Sequence, residues 1–187
     1  QAWATQRDAS GAFTITADGA WRGALPAGVP IANTAVDWDG VTWIMVVGPL
    51  PADATERRVL VMHEAWHRIQ ASLGLPMQNV GAAHLESERA RYLMRLEFRA
   101  LATAMLSNGR ARRVALRDAL TFRRARFDAF PEAAATETAL DRHEGLAAYT
   151  GVALGAGESG AGYASRALIA ADQSDSLART YAYATGP

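Results

Sequence analysis

The hydrophobic pattern divides the chain into a β-rich part, residues 1–50, and a mainly helical part, residues 51–187. In the first part, apolar and polar residues alternate in AFTITADG, and TAVDWDGVTWIMVV contains two β-branched and aromatic runs. Asp39-Gly40 separates these two runs, and Asp-Gly is typical of a hairpin turn because both turn positions need positive φ. The pattern therefore predicts strands and a β-hairpin before the helices.

Apolar residues at helical spacing dominate the second part, and glycine and proline divide it into segments. We predict helices over residues 54–72, 87–106, 110–129, 133–149 and 163–183, a loop over 77–86, and a flexible loop in the Gly-rich stretch GVALGAGESGAGY. Gly155 to Gly162 could form a mobile lid or a plain loop. Because the strands precede the helices, we expect one α+β domain spanning residues 1–187.

Composition narrows the function classes. The formal net charge is zero, so no global field favours nucleic acid, and no apolar run is long enough for a membrane span. There is no cysteine, so a metal ion could be bound only by histidine and carboxylate groups. The chain begins at Gln1 without a signal peptide, which favours a processed or trimmed N-terminus; the compartment is unknown, and a secreted or periplasmic protein is one interpretation.

The stretch LVMHEAWHRIQ in the first predicted helix contains HEAWH at residues 63–67. Residues four apart lie on one face of a helix, so the imidazoles of His63 and His67 can reach one ion. They share this face with apolar residues, where imidazoles without a partner would be costly. Glu64 lies beside them, where a carboxylate can reach a metal-bound water without being a ligand. We interpret the motif as a zinc site; the alternative is two core histidines and a solvated glutamate.

A catalytic zinc ion typically has three protein ligands and one open position. Gln70 and Leu73 stand where the long metzincin motif has Gly and His, so the third ligand must be a carboxylate. Glu86 has a spacing known from one zinc-peptidase class but lies at a predicted helix start, where it serves the helix dipole. Glu97 lies on an apolar stripe, where we favour a buried ion pair with arginine over ligation. Glu144, in DRHEGLAAYTG, also faces inward, and the glycine after it permits a close approach.

HEAWH together with EGLAAY resembles the gluzincin metallopeptidases, the zincin group that includes alanyl-type aminopeptidases and clostridial collagenases. The resemblance implies a zincin-like fold, in which an N-terminal β-hairpin or sheet is followed by a helical region carrying the motif. It also implies that His63, His67 and Glu144 bind zinc and that Glu64 is the general base. Tyr183, in a Tyr-x-x-Gly segment, would stabilise the transition state. LMRLEFRAL with HEGLAAYTG is also similar to an uncharacterised group of bacterial proteins.

The sequence departs from the gluzincin pattern in several respects. The 77 positions from His67 to Glu144 exceed the spacing in the aminopeptidases and predict an inserted helical hairpin. His143 stands where those families often have Asn. The Gly-x-Met-Glu-Asn segment that binds the substrate amine in exopeptidases is absent, which argues against an aminopeptidase. The chain ends one residue after Tyr-x-x-Gly, which is compatible with a fragment of a longer protein.

Other polar residues have simpler interpretations. GRARRVALRDALTFRRARF carries seven Arg and one Asp, and we interpret it as a solvated helix face pairing with acidic helices rather than as a nucleic-acid site. We interpret His84 as a loop histidine, with a substrate or oxyanion role as the minority alternative. Tyr149 and Tyr163 are alternative oxyanion residues, but packing or capping fits them better.

The sequence therefore predicts a zinc-dependent hydrolase, most simply a metallopeptidase that acts on peptide or protein substrates. The strand VTWIMVVG would offer an edge on which an extended peptide adds as a β-strand. Two alternatives stay open. One is a noncatalytic, metal-stabilised partner-binding module derived from a peptidase, and the other is a zinc hydrolase of a non-peptide amide or ester. The substrate, the oligomeric state and the choice between endo- and exopeptidase are not readable from the sequence.

Overall fold

A computed structural model describes residues 1–78, 80–178 and 180–187. The first part of the chain forms two small antiparallel sheets, one with strand order β1-β3-β2 and one formed by β4 and β5. The strands are β1 (Ala2–Ala4), β2 (Phe13–Ile15), β3 (Trp21–Gly23), β4 (Thr34–Trp38) and β5 (Val41–Met45). The predicted hairpin is confirmed: Trp38 pairs with Val41, and Asp39 and Gly40 between them have φ of 54° and 74°.

The second part is helical, so the α+β class is confirmed. The helices are α1 (Ala54–Gln70), α2 (Glu88–Met105), α3 (Gly109–Ala129), α4 (Ala133–Leu140), α5 (Leu146–Gly155), α6 (Gly160–Asp172) and α7 (Tyr181–Thr185). A π-helical turn, Asp141–Gly145, joins α4 to α5, and short 3-10 turns cover Ala71–Leu73, Ala83–Glu86 and Gly157–Ser159. Asp53 caps α1 by accepting hydrogen bonds from two backbone amides, and Gly74 ends the following turn in the left-handed region.

The predicted bounds of α1, α2 and α3 are correct to within a few residues, and α2 and α3 form the expected helical hairpin. The predicted loop over residues 77–86 contains a 3-10 turn, and Asn79 in it lies outside the described residues. The predicted helix 163–183 is wrong as one element: α6 ends at Asp172, and α7 starts only at Tyr181. Arg179, within that prediction, also lies outside the described residues.

The prediction of a flexible Gly-rich loop or lid after residue 149 is also wrong, because this stretch is helical. Two of its glycines, Gly151 and Gly155, permit close helix packing. A Cβ on Gly155 would lie 2.5 Å from the backbone nitrogen of Val59, and one on Gly151 would lie 2.7 Å from the Val59 carbonyl oxygen. The missing side chains therefore let α5 pack with its backbone directly against α1.

The main core lies between α2, α6 and α7, with further members from the turn before α2 and from the end of α4. Its fully buried members include Met94, Phe98, Leu168 and Tyr181. A smaller cluster around Val59 lies between α1 and α5, and the β4–β5 hairpin also packs on α1. Helix α1 therefore packs against α5 on one side and against the β4–β5 hairpin on another, and these contacts fix the orientation of its side chains. Within the described part of the chain, no helix is long and apolar enough to cross a membrane.

Candidate metal centre

Helix α1 and the π-helical turn bring the three predicted ligands together. His63 and His67, one helical turn apart on α1, are both less than a tenth exposed. Glu144 reaches them from the π-helical turn, and one ligand atom from each residue lies within 4.8 Å of the other two. A π-helical turn inserts an extra residue into a helix, and such turns are frequent at functional sites because they redirect a side chain. Here the turn directs Glu144 towards α1.

Three distances define the geometry of this group. The Nε2 atoms of His63 and His67 are 3.1 Å apart, and Glu144 Oε2 lies 3.3 Å and 3.5 Å from them. Nitrogen and oxygen ligands bind zinc at about 2.0–2.2 Å, which places the corners of a tetrahedral site about 3.3 Å apart. The three separations therefore match one face of a tetrahedral site. The donor set of two imidazoles and one carboxylate also suits a catalytic zinc ion with one open position.

Gln70 determines which nitrogen of His67 is available. Its side-chain oxygen lies 3.1 Å from Nδ1 of His67, so the Nδ1 hydrogen is donated to the amide oxygen and Nε2 of neutral His67 carries a lone pair. Nε2 of His63 lies 3.1 Å from this atom, a separation at which the two nitrogens can share one proton or bind one metal ion. Gln70 is fully buried, as expected of a partner that orients a metal ligand.

The surroundings of Glu144 favour its charged form. Burial raises the pKa of Glu144, but its interactions with His63, His67 and the hydroxyl of Tyr183 outweigh burial, and the pKa lies far below its usual value. Tyr183 also stacks on His63, with ring centroids 5.4 Å apart and planes 11° from parallel. His143 lies on the other side, where its ring centroid is 4.9 Å from that of His67. The carboxylate thus stays ionised, as a metal ligand must.

Glu64 lies beside the three ligands and is 3% exposed. Burial raises its pKa, although the two motif histidines oppose this effect. One of its carboxylate oxygens, Oε2, is buried without a hydrogen-bond partner among the described residues. Glu64 and the ligands line a cavity of about 430 Å³, which extends to Asn33, Thr34 and Tyr163. A buried carboxylate facing a cavity and with a raised pKa has the properties of a general base.

The other candidate ligands lie elsewhere. Glu86 is exposed on a 3-10 turn and does not join the group. Glu97 forms the predicted buried ion pair, with Arg123 at 2.7 Å and Arg126 at 2.8 Å. Arg126 also binds Glu137 through two hydrogen bonds of 2.7 Å, so the Arg-rich helix contributes to the interior as well as to a solvated face.

The remaining polar predictions have mixed outcomes. His84 lies on the 3-10 turn within the predicted loop, but it is buried, and its Nε2 lies 2.7 Å from Glu137. Tyr149 is half exposed and does not line the cavity. Tyr163 does line it. The contact of Gln70 with His67 was not predicted from the sequence. The position of Gln70 three residues after His67, on the buried face of α1, was the signal that could have identified it.

Comparisons with known proteins add no relative: no protein-family model, curated protein or solved structure matches the chain. The candidate site therefore depends on its own geometry.

Proposed function

We propose that the protein is a zinc-dependent hydrolase, most simply a metallopeptidase of the gluzincin type with a zincin-like fold. One observation carries the proposal: two imidazole nitrogens and a carboxylate oxygen face each other at 3.1–3.5 Å, beside a buried glutamate and a cavity. His63, His67 and Glu144 would hold the ion. Zinc bound there would supply Lewis acidity, which lowers the pKa of a water molecule and polarises a carbonyl group.

The other residues of the site have complementary roles in this proposal. Glu64 would accept a proton from the attacking water on Oε2 and pass it to the leaving amine, and its raised pKa suits both transfers. The Tyr183 hydroxyl, close to Glu144, would donate a hydrogen bond to the negatively charged oxygen that develops in the transition state. Gln70 would keep His67 in the tautomer that binds the ion.

The cavity also bears on how a peptide would bind. The predicted edge strand VTWIMVVG contains β5, but among the described residues the cavity is lined by Thr34, the first residue of β4, and by Asn33 before it, and not by β5. In a two-stranded sheet each strand has one unpaired edge, so β4 can accept an extended peptide as β5 was expected to. We therefore propose β4 as the edge that binds substrate.

Zinc content and hydrolysis test the proposal together. We expect the purified protein to bind one zinc ion, with anomalous diffraction at the zinc edge placing it against His63, His67 and Glu144. We expect Glu64→Gln to retain the ion and to lower turnover of a peptide library by about 10²–10⁴-fold, since a general base contributes that much. Glu86→Gln is the matched control, because it removes an exposed carboxylate outside the site.

The outcomes separate the alternatives. Full activity of Glu64→Gln would overturn the mechanism, and absence of bound zinc in the wild-type protein would overturn the function. Zinc binding without peptide hydrolysis would favour the noncatalytic module, or a hydrolase of non-peptide amides and esters if such substrates are cleaved.

A further inference from the structure

Asp141 is the first residue of the π-helical turn that carries Glu144, and its side chain is 29% exposed. Its two carboxylate oxygens face different elements. Oδ1 lies 3.3 Å from the hydroxyl of Thr185 on α7, which shares its one hydrogen between this oxygen and the Tyr181 carbonyl at 3.1 Å, and Oδ2 lies 3.9 Å from Nη1 of Arg123 on α3. Asp141 therefore joins the turn that bears a candidate ligand to two other helices.

The contact between Asp141 and α7 also restrains other residues near Thr185. Tyr183 lies on the same short helix, two residues before Thr185. Beyond the helix end, the backbone of Gly186 packs against that of Gly145, so closely that a Cβ on Gly186 would lie 2.1 Å from the Gly145 carbonyl oxygen. The hydrogen bond to Asp141 and this backbone contact hold α7 on the π-helical turn at two points.

The contact with Arg123 connects the turn to the interior. Arg123 donates a hydrogen bond of 2.7 Å to Glu97 on α2, and Glu97 is also bound to Arg126, which is 1% exposed. Arg126 in turn binds Glu137 on α4. Such a network of buried, mutually bonded charges is costly to rearrange, so it provides a rigid base for the turn.

We infer that Asp141 is a positioning residue for the candidate metal centre: by joining Arg123 to Thr185, it holds Glu144 and Tyr183 in place against the histidines of α1. The inference rests on the proposed function, since it concerns the ion that these residues would bind. Asp141 itself does not line the cavity and acts only through its neighbours.

The charge balance around Asp141 supports a functional rather than a stabilising role. Burial raises its pKa to about 6; Arg123 and Thr185 oppose this effect, and the charges of Glu137 and Glu97 add to it. At neutral pH the Asp141 carboxylate is therefore ionised, and its charge lowers the free energy of unfolding. Asparagine at this position would keep an oxygen for Thr185 and remove the unfavourable charge, together with the attraction to Arg123.

The test is zinc affinity of the full chain, measured by competition with a chromophoric chelator at pH 7.5, together with thermal melting of the chelator-treated protein. We expect Asp141→Asn to weaken zinc binding by about tenfold, in the range known for residues that support metal ligands. We also expect the melting temperature of the zinc-free variant to equal or exceed that of the wild type. Thr185→Val, which removes the hydroxyl on α7, should weaken zinc binding in the same way.

Asp172→Asn is the matched control, because Asp172 is a buried aspartate with an arginine partner, Arg99, at 3.0 Å and does not line the cavity. It should leave zinc affinity unchanged. Wild-type zinc affinity in both Asp141→Asn and Thr185→Val would overturn the inference, as would equal weakening by Asp172→Asn. If the wild-type protein binds no zinc, the proposed function is refuted. If the wild type binds zinc and the Asp141 and Thr185 variants bind it equally well, only the positioning role of Asp141 is refuted.

Discussion

The contact between α5 and α1 gives a quantitative prediction about packing near the candidate site. In Gly155→Ala the new Cβ would lie 2.5 Å from the nitrogen and 2.6 Å from the Cα of Val59. Carbon atoms pack at about 3.5–4.0 Å, so one helix must retreat by about 1 Å. Both atoms of Val59 belong to the backbone, and no side-chain rotation can relieve the contact.

The expected cost follows from two opposing effects. Overpacking of this kind destabilises a protein by up to about 3 kcal/mol, and alanine in place of glycine stabilises a helix by about 1 kcal/mol. The free energy of unfolding should therefore fall by about 2 kcal/mol, which corresponds to about 4–8 °C in melting temperature for a chain of this length. Because α1 carries His63 and His67, zinc affinity should fall as well.

Thermal unfolding of the chelator-treated protein, followed by circular dichroism, measures the first effect. Gly160→Ala is the control: its Cβ would lie 3.5 Å from a side-chain methyl of Val152 and 4.0 Å from the Val152 carbonyl oxygen, both ordinary distances, so its melting temperature should equal or exceed that of the wild type. If Gly155→Ala also melts at or above the wild-type temperature, the backbone of α5 does not contact that of α1 at Val59, and the expected overpacking is refuted.

Three further predictions follow from the site and the interior. Gln70→Leu should weaken zinc binding by about 10–100-fold in chelator competition, because His67 loses the acceptor for its Nδ1 hydrogen, whereas Gln70→Glu, which keeps an acceptor, should retain most of the affinity. Arg126→Met should lower the free energy of unfolding in urea by about 3 kcal/mol, because two buried glutamates each lose one partner while Glu97 keeps Arg123 and Glu137 keeps His84, and an unchanged value would contradict the importance of the network. Asp141 has a pKa raised to about 6, so its contribution to stability is complete below the unfolded-state pKa and is lost as the pH rises through 6. The melting temperature of Asp141→Asn relative to wild type should therefore be higher at pH 8 than at pH 4.5, and a difference independent of pH would refute the shift.

Local patterns predicted the elements that depend on neighbouring residues. The Asp39-Gly40 turn is adjacent to the two strands that it joins. The pairing of His63 with His67 likewise needs only one turn of helix. Such features are readable because the residues that determine them are adjacent in sequence.

The errors have the opposite origin. Glycines were interpreted as loop signals after residue 149, although tertiary packing of α5 on α1 keeps this stretch helical. The burial of His84 depends on Glu137, 53 positions away, and no local pattern contains that pairing. The same holds for the π-helical turn at Glu144 and for the bridge from Asp141 to Thr185. A charged side chain that is buried against a partner distant in sequence is predicted to be exposed to solvent when only its sequence neighbours are considered.

The separation of 77 positions from His67 to Glu144 has a consequence for how the chain folds. An ion bound by both residues would cross-link the two ends of a long segment that contains α2, α3 and α4. In the chain-entropy model, a covalent cross-link of that span is worth about 4–5 kcal/mol against the unfolded ensemble. Because a metal cross-link is reversible, the free energy of unfolding would depend on the free metal concentration. A low metal concentration would then destabilise the fold as well as abolish the proposed activity.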